Sequence, residues 1–306
     1  MSTPALLTKN LSKSFGEKEV VRDISFQIEP GEIFGLLGPN GAGKSTTINM
    51  IGGVCHVGGG KIEIFGKNVV GDFITTRRLT GIMHQEVVVD TFFNIEQALS
   101  LHEGYYGAPR DPKWRATLVE ALALGPFLKM RPNQLSGGTK RRFMVAKALV
   151  HKPRLLILDE PTAGVDVELR HSLWEFVRGV NRQGTTILLT THYLQEAEEM
   201  CGRIAIMNKG KIIALEKKAA LLGLIEGKKL KVTLSNPLTQ IPQELLAIGA
   251  SSNDSGKTLE FKVAGSLSID RILESLRAAK LSILDLESSS ASLEDVFLKL
   301  TQEDSR

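Results

Sequence analysis

The sequence predicts an α/β protein: a parallel sheet covered by helices on both faces, with an antiparallel patch near the N-terminus and a small α+β unit after it. Three observations carry this. First, short apolar runs of strand length recur at Ile33–Leu37, residues 155–158 and Thr186–Thr190, with helical stretches between them. Strands buried on both faces of a parallel sheet read this way. Second, residues 20–28 alternate instead, with a break at Arg22-Asp23, and suit an antiparallel strand. A mixed sheet is therefore expected. Third, the glycine-rich turns stop near residue 218. That boundary predicts a first domain over 1–218, with a helical subdomain at about 90–150, and an accessory domain over 219–306.

Later elements follow in order. Residues 203–207, the turn Asn208-Lys209-Gly210 and residues 211–215 read as strand, turn and strand. Residues 230–234 and 259–263 alternate as strands, and residues 250–256 read as a loop by composition. Ile269, Ile272, Leu273 and Leu276 have helical spacing, residues 281–286 form a further strand, and residues 293–300 a last helix.

Composition limits the function classes. Of 306 residues, 42% are apolar and 24% charged, which is the balance of a globular chain and excludes a disordered one. Lys and Arg exceed Asp and Glu by 38 to 34, a net +4 that gives no argument for nucleic acid. Cys55 and Cys201 belong to no CxxC or Cys/His cluster, so free thiols are expected rather than zinc or a disulfide, and His56 beside Cys55 does not change that. No apolar run reaches the length of a membrane span, and the N-terminus lacks the apolar core of a secretory signal. A cytosolic chain is expected, with any membrane role exercised by docking.

Gly38-Pro39-Asn40-Gly41-Ala42-Gly43-Lys44-Ser45 fits G-x-x-x-x-G-K-[ST], after an apolar strand and before a helical stretch that begins with Thr46. Glycines let successive backbone N–H groups turn inward around phosphate oxygens, and the following helix adds its positive end. Lys44 can reach β- and γ-phosphates, and the Ser45 hydroxyl can ligate Mg²⁺. A nucleoside triphosphate and Mg²⁺ are the expected ligands. Downstream, the apolar strand at 155–158 runs into Asp159-Glu160. Asp159 suits a Mg²⁺ ligand, and Glu160 a general base for the attacking water.

A P-loop says only nucleotide. Leu135-Ser136-Gly137-Gly138-Thr139 discriminates further, because with the other motifs in order it resembles the ABC ATPase family, whose signature is LSGGQ. The resemblance spans roughly residues 5–218 and includes a glutamine loop at Gln85, a D-loop at Ala163-Gly164-Val165-Asp166 and a switch histidine at His192. It implies a P-loop NTPase core in which Ser136, Gly137 and Gly138 meet the γ-phosphate on a second ATP-binding subunit. A homodimer is the simplest such arrangement. It implies that Gln85 contacts Mg²⁺ or the attacking water, that His192 bonds the γ-phosphate, and that Asp166 sits at the dimer seam. Phe15 stands where the family stacks an aromatic on adenine; a core Phe of the antiparallel patch is the other reading.

The chain departs from the family at Thr139 in place of Gln, at His84 where many members have Pro, and at residues 56–61, read as a variant turn. Lys140-Arg141-Arg142 reads as a solvated helix face. Phe92, Phe93, Tyr105, Tyr106 and Trp114 fall in the helical subdomain, as core or as part of a groove that takes a coupling helix of a transmembrane partner. The interval between the P-loop and Asp159 has no heptad block, which excludes the coiled-coil members. The ending at 292–301 resembles ATPase subunits of ABC-2 type exporters. Leu293, Phe297 and Leu300 fall at i, i+4 and i+7, as in any amphipathic terminal helix. The expected function is an ATPase at the cytoplasmic membrane face, peripheral, on an integral membrane permease of ABC-2 type. A regulatory or resistance ATPase with a soluble partner is the alternative.

Overall fold

A computed structural model describes residues 3–86, 92–165, 167–225, 228–252, 256–263, 268–290 and 292–303. The chain divides into two compact units, Met1–Lys218 with Glu303–Arg306, and Ala219–Gln302.

The first unit opens with β1 (Leu6–Phe15), β2 (Lys18–Ile28), β3 (Ile33–Leu37), α1 (Lys44–Ile51), β4 (Gly59–Ile64), β5 (Lys67–Asn68), α2 (Phe73–Leu79) and β6 (Thr80–Met83). The helical part follows with α3 (Ile95–Tyr105), α4 (Pro112–Ala121) and α5 (Gly137–Leu149). The chain returns to the sheet through β7 (Leu155–Asp159), α6 (Val167–Arg182), β8 (Thr186–Thr190), α7 (Leu194–Met200), β9 (Arg203–Asn208) and β10 (Lys211–Lys217). The three apolar runs are β3, β7 and β8, and every residue of β7 and β8 is buried.

The six-stranded sheet has the order β10-β9-β3-β8-β7-β6 and is parallel except for β10 against β9. The N-terminal patch is not part of it. β2-β1-β4-β5 form a separate four-stranded antiparallel sheet. Half-buried alternation in β2 requires one apolar face to be covered, and a core between the two sheets does this: Leu6, Ile24, Phe26, Ile28, Ile62 and Ile64 pack in one cluster with Phe34, Leu36, Ile157 and Leu188. The rings of Phe26 and Phe34 stack with centroids 5.5 Å apart. The break at Arg22-Asp23 is a local irregularity within a single strand. Asp23 and Asn10 both adopt positive φ, and Asn10 Nδ2 donates to Asp23 Oδ1 at 2.7 Å.

At residues 56–61 the expected turn is instead irregular chain over 56–58 that leads into β4 at Gly59. Gly60 has φ 80°, and a Cβ there would lie 2.3 Å from the carbonyl oxygens of both Lys9 and Asn10. The glycines are demanded by close passage against β1.

In the second unit lie α8 (Lys218–Gly223, beginning one residue before the boundary), β11 (Lys228–Leu234), α9 (Gln243–Ala247), β12 (Ser251–Ser252), β13 (Thr258–Val263), α10 (Ile269–Ala278), β14 (Ile283–Ser290) and α11 (Leu293–Glu303). The sheet order is β12-β13-β11-β14, all antiparallel. Leu230, Val232, Leu234, Leu259 and Phe261 bury one face against Leu245, Ile272 and Leu276. Sequence reading missed the short α9, placed β12 in a loop, and stopped the last strand at residue 286. β14 runs on through Glu287 and Ser288 because β11 pairs with it: Lys231 opposes Glu287, and Leu230 opposes Ser288. Ladder bonds, not apolar pattern, extend it.

Candidate active site

The P-loop joins β3 to α1, and Gly43 is the N-cap of α1 at φ 102°. A Cβ at Gly43 would meet Val20 O at 2.7 Å, so β2 lies against the loop and leaves room only for glycine. Pro39, Asn40 and Gly41 are exposed, Ala42, Gly43 and Lys44 are buried, and Ser45 and Thr46 are half-buried. Gly38 is buried at the end of β3, where a Cβ would sit 2.4 Å from Met207 O. Lys44 is only 6% exposed, and its ammonium donates to Gly38 O at 2.7 Å and Pro39 O at 3.2 Å. Burial pulls the Lys44 pKa down, while Glu160 and Asp159 pull it back up.

β7 delivers those acids. Asp159 and Glu160 are 2% and 7% exposed. Asp159 Oδ1 accepts from the hydroxyl of Thr190, at the end of the neighbouring strand β8. Glu160 has φ 51°, a left-handed conformation that disfavours a side chain by about 1–2 kcal/mol. Its N–H donates to Thr190 O at 3.0 Å, and its carbonyl accepts from Arg141 Nη1 at 2.8 Å. Its Oε2 accepts from Gln85 Nε2 at 3.0 Å and lies 3.3 Å from His192 Nδ1. Three of the residues singled out in the sequence thus meet on one carboxylate.

Ser45, Gln85 and Asp159 line a single cavity of about 710 Å³, with His84, His102, Tyr106, Met144 and Lys147 among its other walls. Burial lowers the His84 pKa, Asp159 raises it, and Lys147 lowers it further. Among the described residues no group of three or more His, Cys, Asp or Glu could hold a metal. Mg²⁺ in nucleotide sites asks for less, one or two protein oxygens with phosphates and water completing an octahedron. The hydroxyl of Ser45 and the carboxylate of Asp159 on one cavity wall fit that demand.

Ser136, Gly137, Gly138 and Phe15 do not line this cavity. Ser136 is the N-cap of α5; its Oγ accepts from Thr139 N at 3.3 Å and lies 2.9 Å from Thr139 Oγ1. Ser136 and Gly137 are exposed. Phe15 ends β1 at 54% exposure with Lys13 Nζ 5.1 Å from its ring centroid. It is not a core residue of the antiparallel sheet. Asp166 lies outside the described residues.

Lys140-Arg141-Arg142 is not the solvated face expected: Arg142 is buried and donates to Leu122 O at 2.8 Å and Thr139 Oγ1 at 3.2 Å, and Arg141 reaches Glu160. Sequence reasoning also missed Thr190 and Glu196. Glu196, 5% exposed, accepts from Thr162 Oγ1 at 2.6 Å and Thr191 Oγ1 at 2.8 Å, so it ties the segment after Glu160 to the segment before His192. Its sequence context, Gln195-Glu196-Ala197-Glu198-Glu199, is that of an ordinary charged helix and carries no signal.

Comparison with known proteins adds the family. The ABC transporter family model matches residues 21–163. Nod factor export ATP-binding protein I of Paraburkholderia xenovorans (strain LB400) is 36% identical over 303 residues, covering 98% of both chains. The chain belongs to the ABC transporter family. It is an ATP-binding domain of that family and an ATPase, with the P-loop NTPase fold of ABC cassettes. Linearmycin resistance ATP-binding protein LnrL of Bacillus subtilis (strain 168) is 33% identical to this ABC ATPase, over 97% of this chain and 98% of its own. A solved structure, the dimeric post-hydrolysis state of the ATP-binding cassette MJ0796 bound to ADP and Pi, superposes with a TM-score of 0.63 at 25% identity, over 70% of this chain and 98% of that one. Among the described residues, no helix of this ABC ATPase is long and apolar enough to cross a membrane.

Proposed function

We propose that this chain is the ATP-hydrolysing subunit of an ABC-2 type exporter. It acts as a homodimer on a separate integral membrane permease, peripheral to the cytoplasmic face of the membrane. Residues 1–218 form the ATPase domain, and residues 219–306 the accessory domain. One observation carries the composite-site part of this reading. Gly137 opens α5, is exposed, and a Cβ added there would meet nothing within 4 Å. Neither a close neighbour nor a positive φ in this chain asks for glycine there. A phosphate approaching from another copy does, because it needs bare N–H groups at a helix N-terminus. Ser136, Gly137 and Gly138 therefore face the γ-phosphate held by the second subunit, with Asp166 at the seam. The relative whose printed name includes export, and the dimeric cassette that holds ADP and Pi, agree with this reading.

Within one site the roles divide by chemistry. The backbone of residues 38–46 and the Lys44 ammonium hold the phosphates. Ser45, Asp159 and Gln85 would hold Mg²⁺, which supplies neutralisation of phosphate charge when bound. Glu160 takes the proton of the attacking water. His192, exposed beside Glu160, bonds the γ-phosphate. Phe15 offers an open π-face to adenine. Phe15→Ala should weaken ATP binding roughly tenfold, as loss of one base-stacking partner does, and leave the melting temperature unchanged. Titration with a fluorescent ATP analogue measures this; unchanged affinity removes the stacking role.

The part of the cavity lined by His102, Tyr106 and Met144, apart from the Ser45 and Asp159 lining that would hold Mg²⁺, is the place for a coupling helix of the permease. Co-expression with a candidate membrane protein of several spans tests the whole reading. Co-purification from membranes and stimulation of ATP hydrolysis by that protein are expected. A chain that stays soluble beside such partners, and pairs with a soluble protein instead, favours the regulatory or resistance alternative.

A further inference from the structure

Glu160 combines a disfavoured backbone with a function that demands a fixed carboxylate. Both of its backbone groups are tied. The N–H donates to Thr190 O at 3.0 Å and Oγ1 at 3.3 Å. The carbonyl accepts from Ala163 N at 3.3 Å and, more closely, from Arg141 Nη1 at 2.8 Å. Arg141 comes from α5, the helix that Ser136 caps, one turn in from its exposed end. A guanidinium is planar and donates from a fixed fork, so the bond transmits position rather than merely filling space.

We propose that Arg141 is a positioning residue that couples the phosphate-facing end of α5 to the general base of the same chain. It holds the Glu160 peptide in the left-handed region, where the carboxylate meets Gln85 and His192. Because α5 is one rigid element, movement of residues 136–138 on meeting an anion moves Arg141 and, through it, Glu160. This rests on the composite-site reading above. In a head-to-tail pair residues 136–138 engage the other copy's nucleotide while Glu160 serves its own, so Arg141 links the two sites inside each chain. Its electrostatic surroundings include the same two acids: burial lowers the Arg141 pKa, and Glu160 and Asp159 offset part of that.

The test is ATP titration of the full chain, with steady-state rates, ATP binding and thermal melting recorded for each variant. Arg141→Met should lower kcat about tenfold or more with KM for ATP within about twofold, the pattern of a lost transition-state interaction. The Hill coefficient for ATP should fall toward 1. Arg141→Lys should recover part of kcat by returning one donor to the Glu160 carbonyl. A merely structural role would lower the melting temperature and kcat and raise KM for ATP, with no split and no rescue by lysine; that result overturns the proposal. Wild-type kcat and Hill coefficient in Arg141→Met also overturn it. Ser136→Arg separates the two levels. If it leaves ATP-dependent dimerisation intact, the composite-site reading fails and the coupling with it. If it abolishes dimerisation while Arg141→Met behaves as wild type, only the coupling fails.

Discussion

Glu160→Gln is expected to reduce ATP turnover by about 10²–10⁴-fold, the usual contribution of a general base, while ATP affinity changes by no more than about twofold. The reason is local. Glu160 is 7% exposed, and its Oε2 lies within 3.3 Å of both the Gln85 amide nitrogen and His192 Nδ1. A glutamine has the same volume and keeps an oxygen for these donors, so the site stays assembled. It cannot take a proton from water. The P-loop is untouched, so phosphate binding persists, and ATP that binds without being cleaved should hold two copies together. Gel filtration with ATP should show a dimer for Glu160→Gln that the wild type does not accumulate. Turnover at the wild-type rate would remove Glu160 from the role of base.

Lys44→Ala is expected to act on binding. The ammonium is buried inside the loop, where it donates to Gly38 O and Pro39 O. The loop's own backbone bonds, from Ala42 N to Pro39 O at 3.1 Å and from Thr47 N to Gly43 O at 2.9 Å, do not involve the lysine side chain, so the fold should survive. The phosphates lose a charged donor. A hydrogen bond to a charged group contributes about 1.5–3 kcal/mol, which corresponds to roughly 10- to 150-fold in the dissociation constant for ATP. Isothermal titration with ATP measures it. Undiminished affinity in Lys44→Ala would detach the lysine from phosphate binding.

Residues differ in how far the sequence announces them. Residues 38–45 are legible because one anion is held by contiguous backbone, so the requirement falls on neighbouring positions and shows as a pattern. Asp159-Glu160 is legible because acids directly after a buried strand are costly without a function. Arg141, Thr190 and Glu196 are illegible for the opposite reason. Arg141 meets Glu160 across 19 positions, Thr190 meets Asp159 across 31, and Glu196 meets Thr162 across 34. None of these three contacts falls at a local period. The basic run at 140–142 even points the wrong way, since two of its three cations turn inward. The same limit governs β14, whose polar end is a strand only because β11 offers ladder partners.

By itself the sequence determined the class of fold, the nucleotide loop, the acidic pair and the likeness to ABC ATPases. These depend on residue type at short spacing, and short spacing is what a linear chain displays. Tertiary structure alone decided that the antiparallel strands form their own sheet, that Phe15 is open rather than in the core, and that Arg141 and Thr190 hold the backbone of Glu160. Each of those depends on which distant segment covers a face or reaches a carbonyl. That is settled by burial and hydrogen-bond satisfaction across the whole fold, and no local pattern encodes it.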